Sequence, residues 1–344
     1  MSDAIARENT THRVSRSREG YWRLVARQFV KRKLPMIALA YLAVLLFIAV
    51  FASFLAGGVP IYLVKDGKSF VLPNVFHYPE LVNFDFANWK PAAGDSAVWP
   101  LVPYSPYQSN LRKRLSPPDN VNWLGTDDRG RDVMSRMVWG TRVSMSVGFI
   151  ATGIAISIGI VLGALAGYYR RWVDALVLRT IEVVQCFPTL VLILTLVGLS
   201  PPSIYKTMIV IGITGWTGVA RLVRGEFLKL REMEFTAAAE ALGLSDRRII
   251  FRHVLPNALS PVLVSATFGI GGAILLESSL SFLGLGAPPP TASWGEILDQ
   301  SRRYIDRQAW WLVVYPGFAI ALTVLAFNLV GDRLRDAMDP KLRE

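Results

Sequence analysis

The sequence VSMSVGFIATGIAISIGIVLGALAGYY, residues 143–169, decides what kind of fold this chain can adopt. None of its side chains carries a formal charge, and most of them are apolar. Roughly 20 such residues cross about 30 Å of hydrocarbon, because a helix rises about 1.5 Å per residue. The stretch is long enough for this, and it is therefore predicted to be a membrane-spanning helix.

Five other stretches have the same character, at residues 34–55, 181–199, 205–223, 258–285 and 310–330. Each is about as long as a membrane span requires. The sequence therefore predicts an all-α integral membrane protein with six transmembrane helices. The first of them is followed by a long polar segment, residues 56–140, whose Pro, Asn, Asp and aromatic content indicates many turns.

Composition supports a membrane protein. The chain is 52% hydrophobic and 18% charged, whereas soluble domains carry about 25% charged residues. The net charge of +11 does not indicate nucleic acid, because Lys and Arg lie between apolar stretches rather than on one arm or face. The bilayer is the expected partner. Cys186 is the single cysteine, which excludes an intrachain disulfide or a CxxC metal site.

The distribution of basic residues predicts the orientation, because cytoplasmic loops near span ends are enriched in Lys and Arg. Residues 1–33 form a basic tail and are placed in the cytoplasm. Residues 56–140 then lie outside, and with six spans the tail 332–344 is also cytoplasmic. The chain is therefore expected to cross its membrane several times. The basic residues of the N-terminal tail are Arg7, Arg13, Arg16, Arg18, Arg23, Arg27, Lys31, Arg32 and Lys33.

Three glycines repeat every fourth residue in the second span, at Gly159, Gly163 and Gly167. This small-xxx-small spacing lets two membrane helices approach closely. The pattern favours plain helix packing within the bundle, and the alternative is a contact that moves as a gate.

The segment FTAAAEALGLSDRRIIFRHVLPN, residues 235–257, is predicted to form a helix, a tight turn and a second helix. Gly243 is a candidate C-cap, Ser245 can N-cap the second helix, and Pro256 can begin the next span. The segment keeps more apolar residues than a short connection needs, which indicates a surface for a partner. The alternative is an amphipathic helix that lies on the membrane.

The Ala-Ala, Gly and Leu-Pro spacing of this segment resembles the "EAA" loop of ATP-binding-cassette (ABC) importer permeases. The resemblance implies a coupling loop, residues 225–257, that seats in a cleft of a separate ATPase subunit. The family's Glu falls at Ala237, so the polar contact that it makes is either absent here or taken over by Glu240, three positions later. The residues assigned to the coupling loop are Ala238, Ala239, Glu240, Gly243, Ser245, Asp246, Leu255 and Pro256.

Three further motifs resemble the dipeptide, oligopeptide and nickel permeases, in particular the oligopeptide permease C-type subunit. They are NWLGTDDRGRDVMSRMVWGTRVS (122–144), LLESSLSFLGLGAPPPTASWGEIL (275–298) and YPGFAIALTVLAFNLVGDRLRDAMDP (315–340). Residues 57–119 are similar to the longer outer loop of microcin C type peptide permeases. The resemblance implies a permease core of five helices, residues 141–331, and a peripheral N-terminal helix, residues 34–55.

The resemblance implies a multi-pass permease subunit in the bacterial inner membrane. It would belong to an ATP-driven importer that translocates short peptides delivered by a solute-binding protein. The implied partners are a sibling permease and two ABC ATPase subunits, which use ATP and Mg. This chain is expected to bind no cofactor and to have no catalytic residue, so it is not an enzyme. Nickel, glutathione or a microcin-like peptide stay open as substrates, and an ion-coupled carrier is the alternative from another class.

Glu277 is predicted to lie near the outer end of the fifth span. A carboxylate inside a membrane is a candidate for a functional role at a gate or cavity. The alternative is a structural role in which the hydroxyl groups of Ser278, Ser279 and Ser281 satisfy it. At the end of the fourth span, Arg221 and Arg224 are interpreted as anchors that reach to the membrane surface.

Overall fold

The computed structural model describes residues 28–30 and 32–338, apart from 83, 87, 90, 93, 200, 305, 307 and 308. Most of the basic tail predicted at residues 1–33 lies outside the described residues, as do residues 339–344 of the C-terminal tail. The placement of both tails therefore stays a prediction.

The described chain is mainly helical. Its helices are α1 Lys33–Val50, α2 Ala52–Leu55, α3 Val133–Tyr169, α4 Arg171–Gln185, α5 Thr189–Gly198, α6 Ile204–Arg231, α7 Glu234–Ala241, α8 Asp246–Arg248, α9 Leu255–Phe282, α10 Trp294–Arg302 and α11 Trp311–Met338. A π-helical stretch, Ile249–Val254, joins α8 to α9.

Within the described residues, four helices are long and apolar enough to cross a membrane: α1, α3, the continuous helix Asp246–Phe282, and α11. The pair α4 and α5 adds a fifth if it is counted as one span, although it is bent by 80°. The predicted fourth span lies in α6, which is 28 residues long but is not in this set. The structure therefore supports four or five spans, and the predicted count of six is not confirmed.

The second predicted span begins ten residues earlier than residue 143, because α3 starts at Val133. The side chain of Asp132 caps this start, and its Oδ1 accepts a hydrogen bond of 2.7 Å from the backbone N–H of Ser135. The first turns of α3 are polar, so a search for apolar stretches misses them.

The polar segment after α2 corrects the prediction of an all-α chain, because it contains a three-stranded antiparallel sheet in the order β2-β1-β3. The strands are β1 Tyr62–Lys65, β2 Lys68–Val71 and β3 Ser96–Val98. Asp66 and Gly67 join β1 to β2 with φ of 50° and 75°. Positive φ at both positions is the geometry of the tight hairpin turn that Asp-Gly favours.

The helix α1 packs on the side of the bundle, against α3 and α11. Tyr41 Oη and Thr323 Oγ1 lie 3.2 Å apart across the contact with α11. Arg142 of α3 donates to the last carbonyls of α1, with 2.7 Å to Ala49 O and 2.8 Å to Val50 O. Cationic donors at a helix C-terminus satisfy its orphan carbonyls, so this arginine fixes the end of α1.

The predicted glycine repeat lies where α3 crosses α6. A Cβ at Gly159 would lie 2.6 Å from Val219 Cβ, and one at Gly167 would lie 2.5 Å from Phe227 Cβ. At Gly163 the nearest atom would be the backbone oxygen of Ala220, at 2.5 Å. No side chain fits at these three positions without a shift of α6, which supports the packing interpretation.

We expect Gly163→Ala to destabilise the protein by about 1–3 kcal/mol, because the new methyl group must push the α6 backbone away. The measurement is the apparent melting temperature of the detergent-purified protein. Gly153→Ala is the matched control on the same helix, since a Cβ there meets nothing within 4 Å. Equal melting temperatures for the two variants would contradict the close contact of α3 and α6.

Candidate partner-docking site

Segment 234–256 forms the structure that the sequence predicts for residues 235–257: a helix, a turn and a second helix. The helix α7 ends in a Schellman motif, in which Gly243 N–H donates to Glu240 O (2.9 Å) and Leu244 N–H donates to Ala239 O (3.2 Å). Gly243 has a φ of 71°, a conformation that glycine adopts freely but that costs L-residues energy. Leu242 is the C-cap residue, so the predicted glycine lies one residue past the cap, in the left-handed position of the motif.

Hydrogen bonds from the ends of α3 and α6 hold the segment in place. Tyr168, near the end of α3, donates from its hydroxyl to Asp246 Oδ1 at 2.9 Å. The guanidinium of Arg231 lies 5.1 Å from the centre of the Tyr168 ring. Thr236 is buried and donates to Leu230 O at 2.8 Å. Asp246, which we predicted as part of the docking loop, therefore serves at least to attach the segment to the bundle.

Ser245 occupies the predicted N-cap position of α8, but its side chain makes no capping hydrogen bond. Its carbonyl oxygen instead accepts from Arg248 N at 2.8 Å. The second helix continues through the π-helical stretch into α9, where Leu255 is the first residue and Pro256 lies in the first turn. Because the helix is continuous from Asp246, Pro256 lies within it, where the π-helical stretch gives way to α9, and the prediction that Pro256 begins the next span is corrected.

The outer face of segment 234–256 exposes large apolar side chains beside charged ones. Leu242 is 79% exposed and Phe251 is 63% exposed. Ala238, Glu240 and Gly243 are exposed as well, whereas Ala239 is buried against the bundle. Large exposed apolar side chains within one short segment make it a candidate site of interaction with a protein or a membrane.

Arg224 is not a free anchor at the membrane surface, which corrects the interpretation drawn from the sequence. Its guanidinium makes a two-pronged ion pair with Asp174 of α4, with 2.5 Å from Nε to Oδ1 and 2.7 Å from Nη2 to Oδ2. This geometry gives the strongest form of an Arg–carboxylate contact. The pair ties the start of α4 to the end of α6.

Glu277 lies on α9 far from segment 234–256, about 30 Å from Pro256 at the rise of an α-helix. It is fully buried, and its Oε1 accepts hydrogen bonds from Ser281 Oγ (2.7 Å) and Ser293 Oγ (2.8 Å). Ser293 also caps α10. These bonds provide the structural role that the sequence left open, and a role at a gate stays a prediction.

A buried cluster of charged residues lies near Glu277, and the sequence patterns did not predict it. Asp127 Oδ2 accepts from Arg131 Nε at 2.7 Å and also from Arg136. Arg136 bridges to Glu296 of α10, and its Nη1 donates to Gln300 Oε1 at 2.9 Å. All of these charged side chains are less than a tenth exposed. The cluster joins the segment before α3 to α10.

Burial raises the pKa of the Glu296 carboxyl, and the neighbouring guanidinium groups of Arg136 and Arg131 partly lower it again. In the cluster, Asp127 and Glu296 face Arg131 and Arg136, and Asp128 adds a third, less buried carboxylate 3.9 Å from Arg131. No local sequence pattern predicts it, because Arg136 and Glu296 are 160 residues apart.

Comparison with known families agrees with this architecture. Residues 159–344 match the family described as "Binding-protein-dependent transport system inner membrane component". Residues 20–64 match the "N-terminal TM domain of oligopeptide transport permease C". The chain belongs to the first of these families, which consists of membrane permeases rather than catalytic subunits. The resemblance drawn from the sequence is confirmed.

Among individual proteins, the chain is similar to the "Dipeptide transport system permease protein DppC" of two bacteria. The identity is 46% for Alkalihalophilus pseudofirmus, over 71% of this chain and 80% of the relative. It is 40% for Bacillus subtilis, over 71% of this chain and 76% of the relative. The fold is similar to an inward-facing structure of the MetNI methionine ABC transporter, with a TM-score of 0.50, 17% identity and coverage of 60% and 97%.

We expect Arg136→Met to cost about 3–5 kcal/mol of stability, because it leaves Glu296 buried without its partner. The double variant Arg136→Met/Glu296→Met should be more stable than the single one, since Asp127 and Arg131 still balance each other. Melting temperatures of the purified protein measure both effects. Arg179→Met is the matched control, because its ion pair with Glu182 is exposed and worth at most about 1 kcal/mol. A double variant no more stable than Arg136→Met would contradict the coupling.

Proposed function

We propose that the chain is the transmembrane permease subunit of an ATP-driven importer and that it moves short peptides delivered by a solute-binding protein. In this proposal the bent pair α4–α5 is the third span and α6 is the fourth, which gives six. A sibling permease completes the pathway, and two separate ABC ATPase subunits hydrolyse ATP with Mg. The chain itself catalyses no reaction.

The observation that carries the proposal is the exposed face of segment 234–256. It presents Leu242 and Phe251 on a support that is fixed from behind by Tyr168 and Thr236. Exposed apolar side chains on a segment that is firmly attached to the bundle suit a partner that transmits motion to it. The segment has the resemblance to a coupling loop noted in the sequence, and the family match covers it. We assign the docking contacts to Ala238, Glu240 and the turn at Gly243.

The substrate assignment rests on the relatives. Two dipeptide permeases share 40–46% identity with this chain over 71% of its length. Because the binding protein supplies most of the affinity in such a system, the membrane pathway needs little selectivity of its own. Short peptides are therefore the proposed cargo.

Cells with the unaltered operon should take up a labelled dipeptide. We expect deletion of this gene, or the substitution Gly243→Val, to abolish that uptake. Valine at a φ of 71° forces the turn to change, so the ATPase contact is lost while the bundle remains. Gly243→Asn is the matched control, because asparagine tolerates this conformation. The measurement is the initial rate of peptide uptake, with membrane levels of each variant checked by immunoblot.

Two results would count against the proposal in different ways. Undiminished uptake in Gly243→Val cells would reject the coupling role of the turn. If deletion removed nickel uptake and left dipeptide uptake intact, the peptide assignment would be wrong and the permease assignment would stand.

We also propose that both chain ends face the cytoplasm and that the sheet segment, residues 56–132, faces outside. In a Cys186→Ala background, a cysteine in place of Ser96 should react with an impermeant thiol reagent added to intact cells. A cysteine in place of Ser245 should react after the membrane is opened. Both positions are accessible to solvent in the structure. A difference in labelling therefore does not come from burial within this chain. Labelling of position 245 in intact cells would overturn this topology.

A further inference from the structure

A half-open cavity of about 380 Å³ lies midway along the helices α3, α6 and α9, beside the first residue of α5. Four hydroxyl-bearing residues line it: Thr152, Thr189, Thr214 and Ser265. The rest of its wall is aliphatic, aromatic or glycine, and within the described part of the chain no charged residue lines it. Its size lies near the lower end of the range for small-molecule sites.

Thr152 is the residue that points to a ligand. It is 8% exposed, and its Oγ1 has no hydrogen-bond partner among the described residues. Its side chain faces the cavity wall at Gly269, where a Cβ would lie 2.9 Å from Thr152 Cγ2 and 3.5 Å from Oγ1. A buried hydroxyl without a partner costs free energy unless something else satisfies it.

Neighbouring hydroxyl groups show that this situation is not imposed by the helix. Ser146 donates to Arg142 O at 2.6 Å, and Thr214 donates to Val210 O at 2.9 Å. A helical Ser or Thr commonly satisfies itself in this way, by bonding the carbonyl one turn earlier. Thr152 does not, so its hydroxyl group keeps a hydrogen-bonding capacity that none of the described residues uses.

We propose that this cavity is a subsite for an uncharged part of the peptide in transit, namely one amide group and its apolar side chain, with Thr152 Oγ1 hydrogen-bonded to the amide. The inference rests on the proposed function and adds a substrate class to it. A wall without charge disfavours a charged side chain, because desolvation of the charge would go uncompensated. Peptides whose side chains are apolar and of moderate size fit this site.

Two glycines of the wall allow the volume of the cavity to be changed by substitution. A Cβ at Gly218 of α6 or at Gly272 of α9 would meet nothing within 4 Å. A larger side chain at either position therefore extends into space rather than into the protein. Replacing glycine within a helix also raises helix propensity, so these variants are expected to fold.

The experiment uses the complete importer, reconstituted in liposomes with its binding protein, and labelled Gly-Gly and Leu-Leu as probes. Gly272→Leu should lower Leu-Leu uptake at least about tenfold and change Gly-Gly uptake by less than about twofold, because it removes space that leucine needs. Gly153→Leu, on α3 but not in the cavity wall, is the matched control and should change neither rate.

The hydroxyl is tested separately from the volume. Thr152→Val keeps the shape and should lower uptake of both peptides about threefold to tenfold, the usual effect of one lost hydrogen bond. Thr152→Ser should restore most of the rate. Normal uptake in Thr152→Val, or equal losses for both peptides in Gly272→Leu, would overturn the subsite while leaving the importer assignment intact. Failure of the unaltered complex to take up either peptide would instead reject the peptide function, and the subsite with it.

Discussion

The close contact of α3 with α6 is the constraint on which the rest of the bundle depends. Inside a bilayer, apolar side chains gain little by leaving lipid for another helix, so helices associate through tight packing and polar contacts. Gly159, Gly163 and Gly167 allow that packing on α3, and Gly212 allows it from the side of α6, where a Cβ would lie 2.7 Å from Ile154 Cβ. The paired helices then fix two further features: the position of Tyr168, which holds segment 234–256, and one wall of the central cavity.

Polar networks complete the fold at both ends of this pair. At one end, contacts among Tyr168, Arg231 and Asp246 hold segment 234–256 to α3 and α6. At the other, the cluster around Arg136 attaches α10, whose cap Ser293 also binds Glu277. A buried pair is costly to break even where it contributes little net stability. The buried attachment around Arg136 therefore favours one arrangement of α10 over the alternatives.

Length and composition predicted the helices well where hydropathy alone decides them. Predicted stretches 258–285 and 310–330 correspond to Leu255–Phe282 and Trp311–Met338. The turn at Gly243 was also predictable, because glycine is strongly preferred where a helix ends in a residue with positive φ. The hairpin around Asp66 and Gly67 was missed although Asp-Gly is a strong local signal. The Arg136 cluster and the pairing of Arg224 with Asp174 depend on residues far apart in sequence, which no local pattern can join.

The unbroken helix from Asp246 to Phe282 has a mechanical consequence. Its 37 residues make a rod about 55 Å long, with segment 234–256 at one end and Glu277 close to the other. If the rod turned about a point near Pro256, a tilt of about 10° would move the Glu277 end about 5 Å sideways. This distance is similar to the pitch of an α-helix. Pro261 removes one backbone hydrogen bond within this rod. It thus sets a place where the lever can bend, and the stiffness at that point decides how much of a tilt at segment 234–256 reaches α10.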